Sequence, residues 1–95
     1  MKNYVILRRD GWKTMGDLEQ AAARSRKVGD DQMASDIRWI RSYVLDETNG
    51  SKGTVCIYQA ASEEAIREHA RRADLPVDEV IPLDGFVVVR PDPQP

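Results

Sequence analysis

His69 is the single histidine of the chain, and it lies in a segment whose apolar residues recur at helical spacing. Ala65, Ile66, Ala70 and Ala73 define the inward side of this helix, and His69 falls within it. A buried imidazole needs a hydrogen-bond partner, so one interpretation is a core histidine that has found one. The alternative is a general base or a metal ligand in a pocket, because an imidazole titrates near neutral pH.

Arginines and aromatic residues share the segments that have strand-like composition. Arg41 lies between Trp39 and Tyr43, and a period of two places all three on one face. A planar guanidinium binds carboxylate or phosphate oxygens, whereas the structural alternative is a solvated edge or an ion pair at a dimer interface. The sequence therefore predicts a pocket for a small anionic or aromatic molecule, with Arg8 or Arg9 at its mouth and with walls formed by His69, Tyr58, Tyr43, Arg41 and Trp39.

Metal and thiol chemistry have fewer candidate residues. The single cysteine, Cys56, excludes an internal disulfide framework, and its place within a strand predicts burial rather than nucleophilic reactivity. Asp10, at the end of the first strand, is available to join His69 as a ligand of nickel or another divalent transition metal. One imidazole and one thiol per chain are a weak donor set for such an ion. The chain contains no P-loop, GxGxxG or GxSxG motif.

Length and charge set limits on the protein class. The chain has 95 residues, of which 41% are hydrophobic and 32% charged, as expected for one globular domain. The net charge of −2 argues against a general nucleic-acid binder. The sequence has no apolar run long enough to span a membrane and no signal-peptide pattern at its start, so we expect a cytoplasmic protein that binds neither nucleic acid nor membrane.

Six predicted elements alternate in type along the chain. Strands are expected at residues 3–9, 37–45 and 54–60, and helices at residues 15–28 and 63–73, with Thr14 and Ser62 as N-caps and Gly29 as a C-cap. The last strand is expected within residues 79–90, strongest at Phe86–Val89. This β-α-β-β-α-β order predicts an α+β, ferredoxin-like sandwich, in which two helices cover one face of a four-stranded antiparallel sheet. The domain would span residues 1–90, followed by a proline-rich disordered tail at residues 91–95.

The predicted strands carry apolar residues on both faces. In the first strand, Val5 and Leu7 point one way while Tyr4 and Ile6 point the other. Two helices cover only one face of the sheet. The simplest arrangement that buries the other face is a second copy of the same sheet packed against it. The sequence therefore predicts a homodimer through the sheet face, of the dimeric α+β barrel type. The alternative is a monomer with a partly exposed second face.

Three short patterns give the chain a family resemblance. It resembles a small bacterial domain-of-unknown-function family, number four-two-four-two, whose best-described members are nickel-binding proteins. The patterns are an aromatic W-x-x-S-Y-V strand, a C-x-Y-x-A strand and an E-A-x-R-x-H-A helix. They fall on Trp39, Ser42, Tyr43 and Val44, on Cys56, Tyr58 and Ala60, and on Glu64, Ala65, Arg67, His69 and Ala70.

The resemblance implies a ferredoxin-like fold, a dimer and nickel binding. Nickel-binding members place one histidine at the end of the first strand and another just after the second helix. This chain has Arg8-Arg9-Asp10 and Leu75-Pro76 at those places, and the arginines favour an anionic ligand over a cation.

Three functional hypotheses remain open. The first is a small dimeric ligand-binding protein. The second is a cofactor-free enzyme of the dimeric α+β barrel type, monooxygenase-like or isomerase-like, with His69 as general base and Arg41 as oxyanion partner. The third is an interaction module in which His69 belongs to the core.

Overall fold

The computed structural model describes residues 1–94 of the chain. The elements follow one another as β1 (Lys2–Trp12), α1 (Met15–Gln32), β2 (Ile37–Asp46), β3 (Lys52–Ala60), α2 (Glu63–Ala73) and β4 (Glu79–Pro82). The strands pair antiparallel in the order β2-β3-β1-β4. The predicted ferredoxin-like α+β fold is confirmed. None of the helices within these residues is long and apolar enough to cross a membrane.

Both helices begin at the predicted N-caps. The Thr14 hydroxyl accepts a hydrogen bond from the Asp17 amide at 3.1 Å, and the Ser62 hydroxyl accepts one from the Ala65 amide at 3.1 Å. The prediction that Gly29 ends α1 is wrong, because the helix continues to Gln32. A Cβ built at this glycine would lie in ordinary contact with the His69 imidazole, at 3.8 Å.

The helices cover one face of the sheet, called here the helix side. Alternate strand residues are buried on it, as the pleat requires. The core combines these strand positions with Val28 of α1 and Ile66 of α2, and its buried strand residues are Tyr4, Ile6, Ile37, Cys56, Tyr58 and Ala60. The opposite face, called here the far side, carries half-buried Val5, Leu7, Val55 and Ile57.

A β-bulge in β2 changes which residues share a face. Trp39 pairs with Tyr58, but Arg41 pairs with Ile57, so the register shifts by one residue around Ile40. The prediction that Arg41 and Tyr43 share a face with Trp39 is therefore wrong. Trp39 lies on the helix side, and the two other residues lie beyond the bulge on the far side.

The last strand is earlier and shorter than predicted. β4 ends at Pro82, and Phe86–Val89 lie outside any strand, with Val87 95% exposed. The reason is the length of β1. Tyr4 of β1 is opposite Pro82 of β4, so residues after about 85 run past the start of β1 and have no neighbour to pair with.

Residues 84–94, called here the C-terminal segment, leave the sheet edge and cross the far side. Asp92 accepts hydrogen bonds from Arg41 at 2.6 Å and from the Tyr43 hydroxyl at 2.9 Å. Residues 91–94 form neither helix nor strand. Pro95, the last residue of the predicted tail, lies outside the described residues, and the boundary at residue 90 stays a prediction.

Candidate functional site

A pocket of about 190 Å³ lies between α1 and the helix side of the sheet, and is called here the α1 pocket. Leu18 and Ala21 of α1 contribute apolar surface, and their helical spacing turns both toward the sheet. Three exposed residues, Met15, Glu19 and Val44, also line the pocket and mark its mouth. Small molecules typically bind in pockets of this kind, with apolar walls and a few polar groups.

Arg8 is the charged group of the α1 pocket, and it is 1% exposed. Its Nη1 donates a hydrogen bond to the Pro76 carbonyl at 2.6 Å, and the guanidinium lies near the Tyr58 hydroxyl, whereas its Nη2 forms no hydrogen bond of ordinary geometry among residues 1–94. No carboxylate of the described chain forms an ion pair with it. A buried cation without a counter-ion is costly, so the site favours an anion from outside the chain.

A polar cluster of Ser25, Tyr58 and His69 lies beside the α1 pocket. The Ser25 hydroxyl is 2.9 Å from the Tyr58 hydroxyl and 3.5 Å from His69 Nε2. His69 Nε2 is also 2.9 Å from the Ser25 carbonyl, which can only accept. Burial raises the pKa of the Tyr58 phenol, so this hydroxyl is neutral and available as a hydrogen-bond partner.

The contacts of His69 determine its protonation. Donation to the Ser25 carbonyl places the proton on Nε2 and leaves Nδ1 as an acceptor, for which residues 1–94 offer no partner. Burial lowers the pKa of the imidazole, the Ser25 carbonyl raises it, and the nearby Arg8 charge lowers it further. His69 is therefore a neutral, hydrogen-bonded imidazole near neutral pH.

A second pocket, called here the edge pocket, opens on the other side of this cluster. It has a volume of about 390 Å³ and is lined by His69, Arg41 and Asp30, among others. Ser25, Trp39 and Tyr58 line both pockets, so they form the wall between them, and the Trp39 and Tyr58 rings are stacked with centroids 6.2 Å apart.

A chain of hydrogen bonds runs along the sheet wall of the α1 pocket. Trp39 Nε1 donates to the Ser42 hydroxyl at 2.8 Å, and Ser42 donates to Cys56 Sγ at 3.1 Å. The Cys56 thiol in turn donates to the Thr54 hydroxyl at 3.3 Å. Cys56 is 4% exposed and thus occupies a structural position in this chain.

The structure brings only some of the predicted site residues together. Arg8, Tyr58 and Trp39 line the α1 pocket, and Arg8 is buried within it rather than at a mouth. His69 and Arg41 line the edge pocket, while Tyr43 and Arg41 bind Asp92 on the far side.

Two other predicted site residues, Arg9 and Asp10, form contacts outside both pockets. Arg9 forms an ion pair with Glu47 at 2.9 Å, and that guanidinium holds the pKa of Glu47 below its ordinary value. Asp10 is exposed, has a positive φ of 50° and accepts a hydrogen bond from Ser51. Asp10 and His69 therefore lie in different surroundings.

Ser25 and Thr54 are among the polar residues of the α1 pocket that sequence reasoning missed. Ser25 is a polar residue on the otherwise apolar inward side of α1. A polar residue at such a position is a sequence signal for a polar group in a pocket. Thr54 is opposite Arg8 in the β1–β3 register, and both side chains are buried on the helix side. Finding that pair requires the strand register, which the sequence alone does not specify.

A family model described as SCO4226-like, nickel responsive protein, matches residues 4–83. The chain belongs to this family. Among solved structures, it is similar to that of SCO4226 from Streptomyces coelicolor A3(2), with a TM-score of 0.70 and 19% identity over 90% of this chain and 99% of that one. This likeness supports the shared fold. None of the curated proteins matches the chain.

The family description implies nickel, but the donor set of this chain does not fit a nickel ion. No group of three or more His, Cys, Asp or Glu side chains within residues 1–94 is placed to hold a metal. His69 uses Nε2 to bind the Ser25 carbonyl and lies close to the Arg8 charge, which repels a cation. Nickel prefers imidazole and thiolate ligands, and Cys56 is engaged with Ser42 and Thr54.

Proposed function

We propose that this protein is a small homodimeric binding protein whose α1 pocket takes a small anionic molecule with an apolar body. One observation carries the proposal: Arg8 is 1% exposed, lines the pocket and keeps Nη2 without a partner among residues 1–94. A core without functional demands gains from an apolar residue at this position, because an unpaired buried charge destabilises a fold. An arginine at this position is consistent with a ligand that supplies the counter-charge.

The experiment compares the wild-type protein with Arg8→Met in a thermal-shift screen of small carboxylates, sulfonates and phosphate monoesters, with their neutral amides as controls. We expect at least one anion class to raise the Tm of the wild type, since a ligand that binds only the folded state stabilises it. Arg8→Met should abolish that response. The proposal fails if no anion acts on the wild type, or if the response survives in Arg8→Met.

Arg8→Met also separates binding from folding. Methionine is close to the arginine stem in length and removes the buried charge, so the free energy of unfolding without ligand should stay within about 1 kcal/mol of the wild type or rise. The Pro76 carbonyl that loses its donor belongs to an exposed residue and can bind water. A large loss of stability would instead mark Arg8 as a structural residue.

The dimer is proposed through the far side of the sheet. Half-buried Val5 and Ile57, 43% exposed Tyr43 and the apolar run Phe86–Val89 together form an apolar surface that a second copy would cover. Sedimentation at micromolar concentration should give twice the 10.7 kDa chain mass, and a single 10.7 kDa particle would overturn the dimer.

A matched pair of variants locates that interface. Val87→Asp should weaken the dimer about tenfold or more, because Val87 is 95% exposed in one chain and the charge would be buried in the pair. Ala23→Asp adds the same charge at an exposed position of α1 and should leave the dimer unchanged. Equal effects of the two substitutions would exclude the far side as the interface.

Catalysis with His69 as base is the alternative function, and the contacts of the residues involved favour binding. His69 is 1% exposed with Nε2 bound to the Ser25 carbonyl, and Arg41 is paired with Asp92. A cytoplasmic location is proposed as well, supported by the single buried thiol of Cys56, which is typical of proteins from reducing compartments. Fractionation of the producing cells tests the location.

A further inference from the structure

We infer that the ligand of the α1 pocket is a monocarboxylate carried on one flat apolar ring, and that Thr54 is the second donor that binds it. This inference rests on the proposed anion-binding function and adds the ligand class and a specificity residue. Four observations support it: the position of Thr54, the direction of its hydrogen bonds, the charge of the pocket and the size of the pocket.

Thr54 lies beside Arg8. The two residues are direct partners in the antiparallel β1–β3 register, so their side chains are neighbours on the helix side of the sheet. Thr54 is 4% exposed and lines the α1 pocket together with Arg8. A ligand in this pocket therefore meets both side chains.

The hydrogen-bond chain on the pocket wall fixes what Thr54 can offer. An indole N–H only donates, so Ser42 must accept from Trp39 and passes its own proton to Cys56. The Cys56 thiol then donates to Thr54, whose oxygen thereby acts as an acceptor. With the Cys56 thiol donating, no hydrogen bond from the Thr54 hydroxyl to another acceptor forms among residues 1–94, so its proton is available to a ligand.

The pocket thus offers two unused donors, Arg8 Nη2 and the Thr54 hydroxyl, and one positive charge. A carboxylate matches this inventory, since it has one negative charge and two acceptor oxygens. A phosphate monoester carries up to two charges and three terminal oxygens, and burying it here would leave acceptors without donors. A neutral amide brings an N–H₂ group that would face two donors.

The remaining walls define the body of the ligand. The volume of about 190 Å³ is slightly larger than an apolar cavity of roughly 150 Å³ that holds benzene. The stacked rings of Trp39 and Tyr58 give the wall a flat apolar surface. One aromatic or cyclic ring with a carboxylate is therefore the matching shape, and a larger ring system would extend out of the mouth.

Benzoate is the probe, and benzenesulfonate, phenyl phosphate and benzamide are the comparators. Binding of each compound is measured by NMR titration of the whole protein. Wild type should bind benzoate more tightly than each comparator. Thr54→Val should weaken benzoate binding about tenfold or more, because it removes a hydrogen bond to a charged group. Thr54→Ser keeps the hydroxyl and should stay within about threefold of the wild type.

The outcomes separate this inference from the proposed function. If benzenesulfonate or phenyl phosphate binds in an Arg8-dependent way and benzoate does not, the anion site stands and the carboxylate assignment is wrong. If Thr54→Val binds benzoate as tightly as wild type, Thr54 has no role as a donor. Valine is similar to threonine in shape and in propensity for strands. An unchanged free energy of unfolding in Thr54→Val would therefore confirm that its weaker benzoate binding does not come from a folding defect.

Discussion

The hydroxyl oxygens of Ser25 and Tyr58 lie 2.9 Å apart and join α1 to β3 at the wall between the α1 pocket and the edge pocket. Tyr58 is 1% exposed and its ring also contacts His69, with centroids 5.5 Å apart. The contact therefore couples the position of the long helix to the core of the sheet. Its removal should affect stability more than a surface hydrogen bond would.

Ser25→Ala should lower the free energy of unfolding by about 1–3 kcal/mol, because the buried Tyr58 hydroxyl is left without its partner. Tyr58→Phe removes the other hydroxyl. The double variant should lose less free energy of unfolding than the two single variants together, because it leaves no buried hydroxyl without its partner. Urea denaturation measures all four proteins, and strictly additive costs would show that the two hydroxyls do not interact.

Stability should fall as the pH decreases through the range in which histidine titrates. The folded pKa of His69 lies below its ordinary value of 6.5, because burial and the Arg8 charge oppose protonation. The unfolded chain therefore takes up the proton first, so the stabilisation is complete above about pH 6.5 and is lost below it. Urea denaturation between about pH 7 and pH 5 should show this decline, and His69→Gln should flatten it.

The two carboxylates with lowered pKa values, Glu47 and Glu68, act outside that window. Arg9 lowers the pKa of Glu47 from 4.5, and Arg72 and Arg71 lower that of Glu68 from the same value, so both carboxylates stay ionised down to about pH 5. A pH slope in His69→Gln equal to that of the wild type would assign the decline to other groups.

Gly53→Ala should destabilise the β1–β3 pairing. A Cβ at Gly53 would lie 2.5 Å from the Arg8 carbonyl oxygen and 2.9 Å from Glu47 Oε2, and the first is a backbone atom that cannot move aside alone. We expect a loss of about 1–3 kcal/mol in the free energy of unfolding. Gly85→Ala is the matched control, because a Cβ there meets nothing within 4 Å, and thermal melts that rank the two variants equally would contradict the packing.

Glu19→Gln should strengthen benzoate binding. Glu19 is exposed at the mouth of the α1 pocket, where its charge repels an approaching anion. The expected gain is about two- to fivefold at low ionic strength, and it should shrink at high salt because exposed charges are screened. Asp17→Gln, also exposed on the first turn of α1 but not lining the pocket, should give a smaller change in NMR titrations.

Nickel should not bind this chain stoichiometrically at micromolar concentration. The single imidazole is committed to the Ser25 carbonyl and lies near the Arg8 charge. Isothermal titration with nickel, zinc and cobalt, followed by mass spectrometry of the protein, checks this expectation. One bound ion per chain that is lost in His69→Gln would contradict it.

Local signals were sufficient to predict the order of the elements. Thr14 and Ser62 begin helices because their hydroxyls replace missing backbone acceptors, which is a property of a few adjacent residues. The strands follow from short runs of β-branched and aromatic residues. The end of β4 cannot be predicted from composition in this way. Phe86–Val89 have the composition of a strand, but they lie beyond the first residue of β1 and have no strand to pair with.

The site was only partly predictable, because strand register decides which side chains meet and local composition does not specify it. Arg8, Tyr58 and Trp39 were recognised from their residue types, and the structure places them around one pocket. The bulge at Ile40 reversed the face of Arg41, and no period-of-two pattern indicates an inserted residue. Thr54 became visible only as the partner of Arg8 across two strands, which is information about pairing rather than composition.

The unpaired run Phe86–Val89 also has a consequence for handling the protein. Its amide and carbonyl groups lack the ladder that sequences of this kind normally join, so in any chain outside the proposed dimer the run is a template for fibril-like stacking. Pro82 and Pro91 flank the run, and proline interrupts such ladders because it has no amide hydrogen. The two prolines thereby act as gatekeepers that confine any stacking to the short stretch between them.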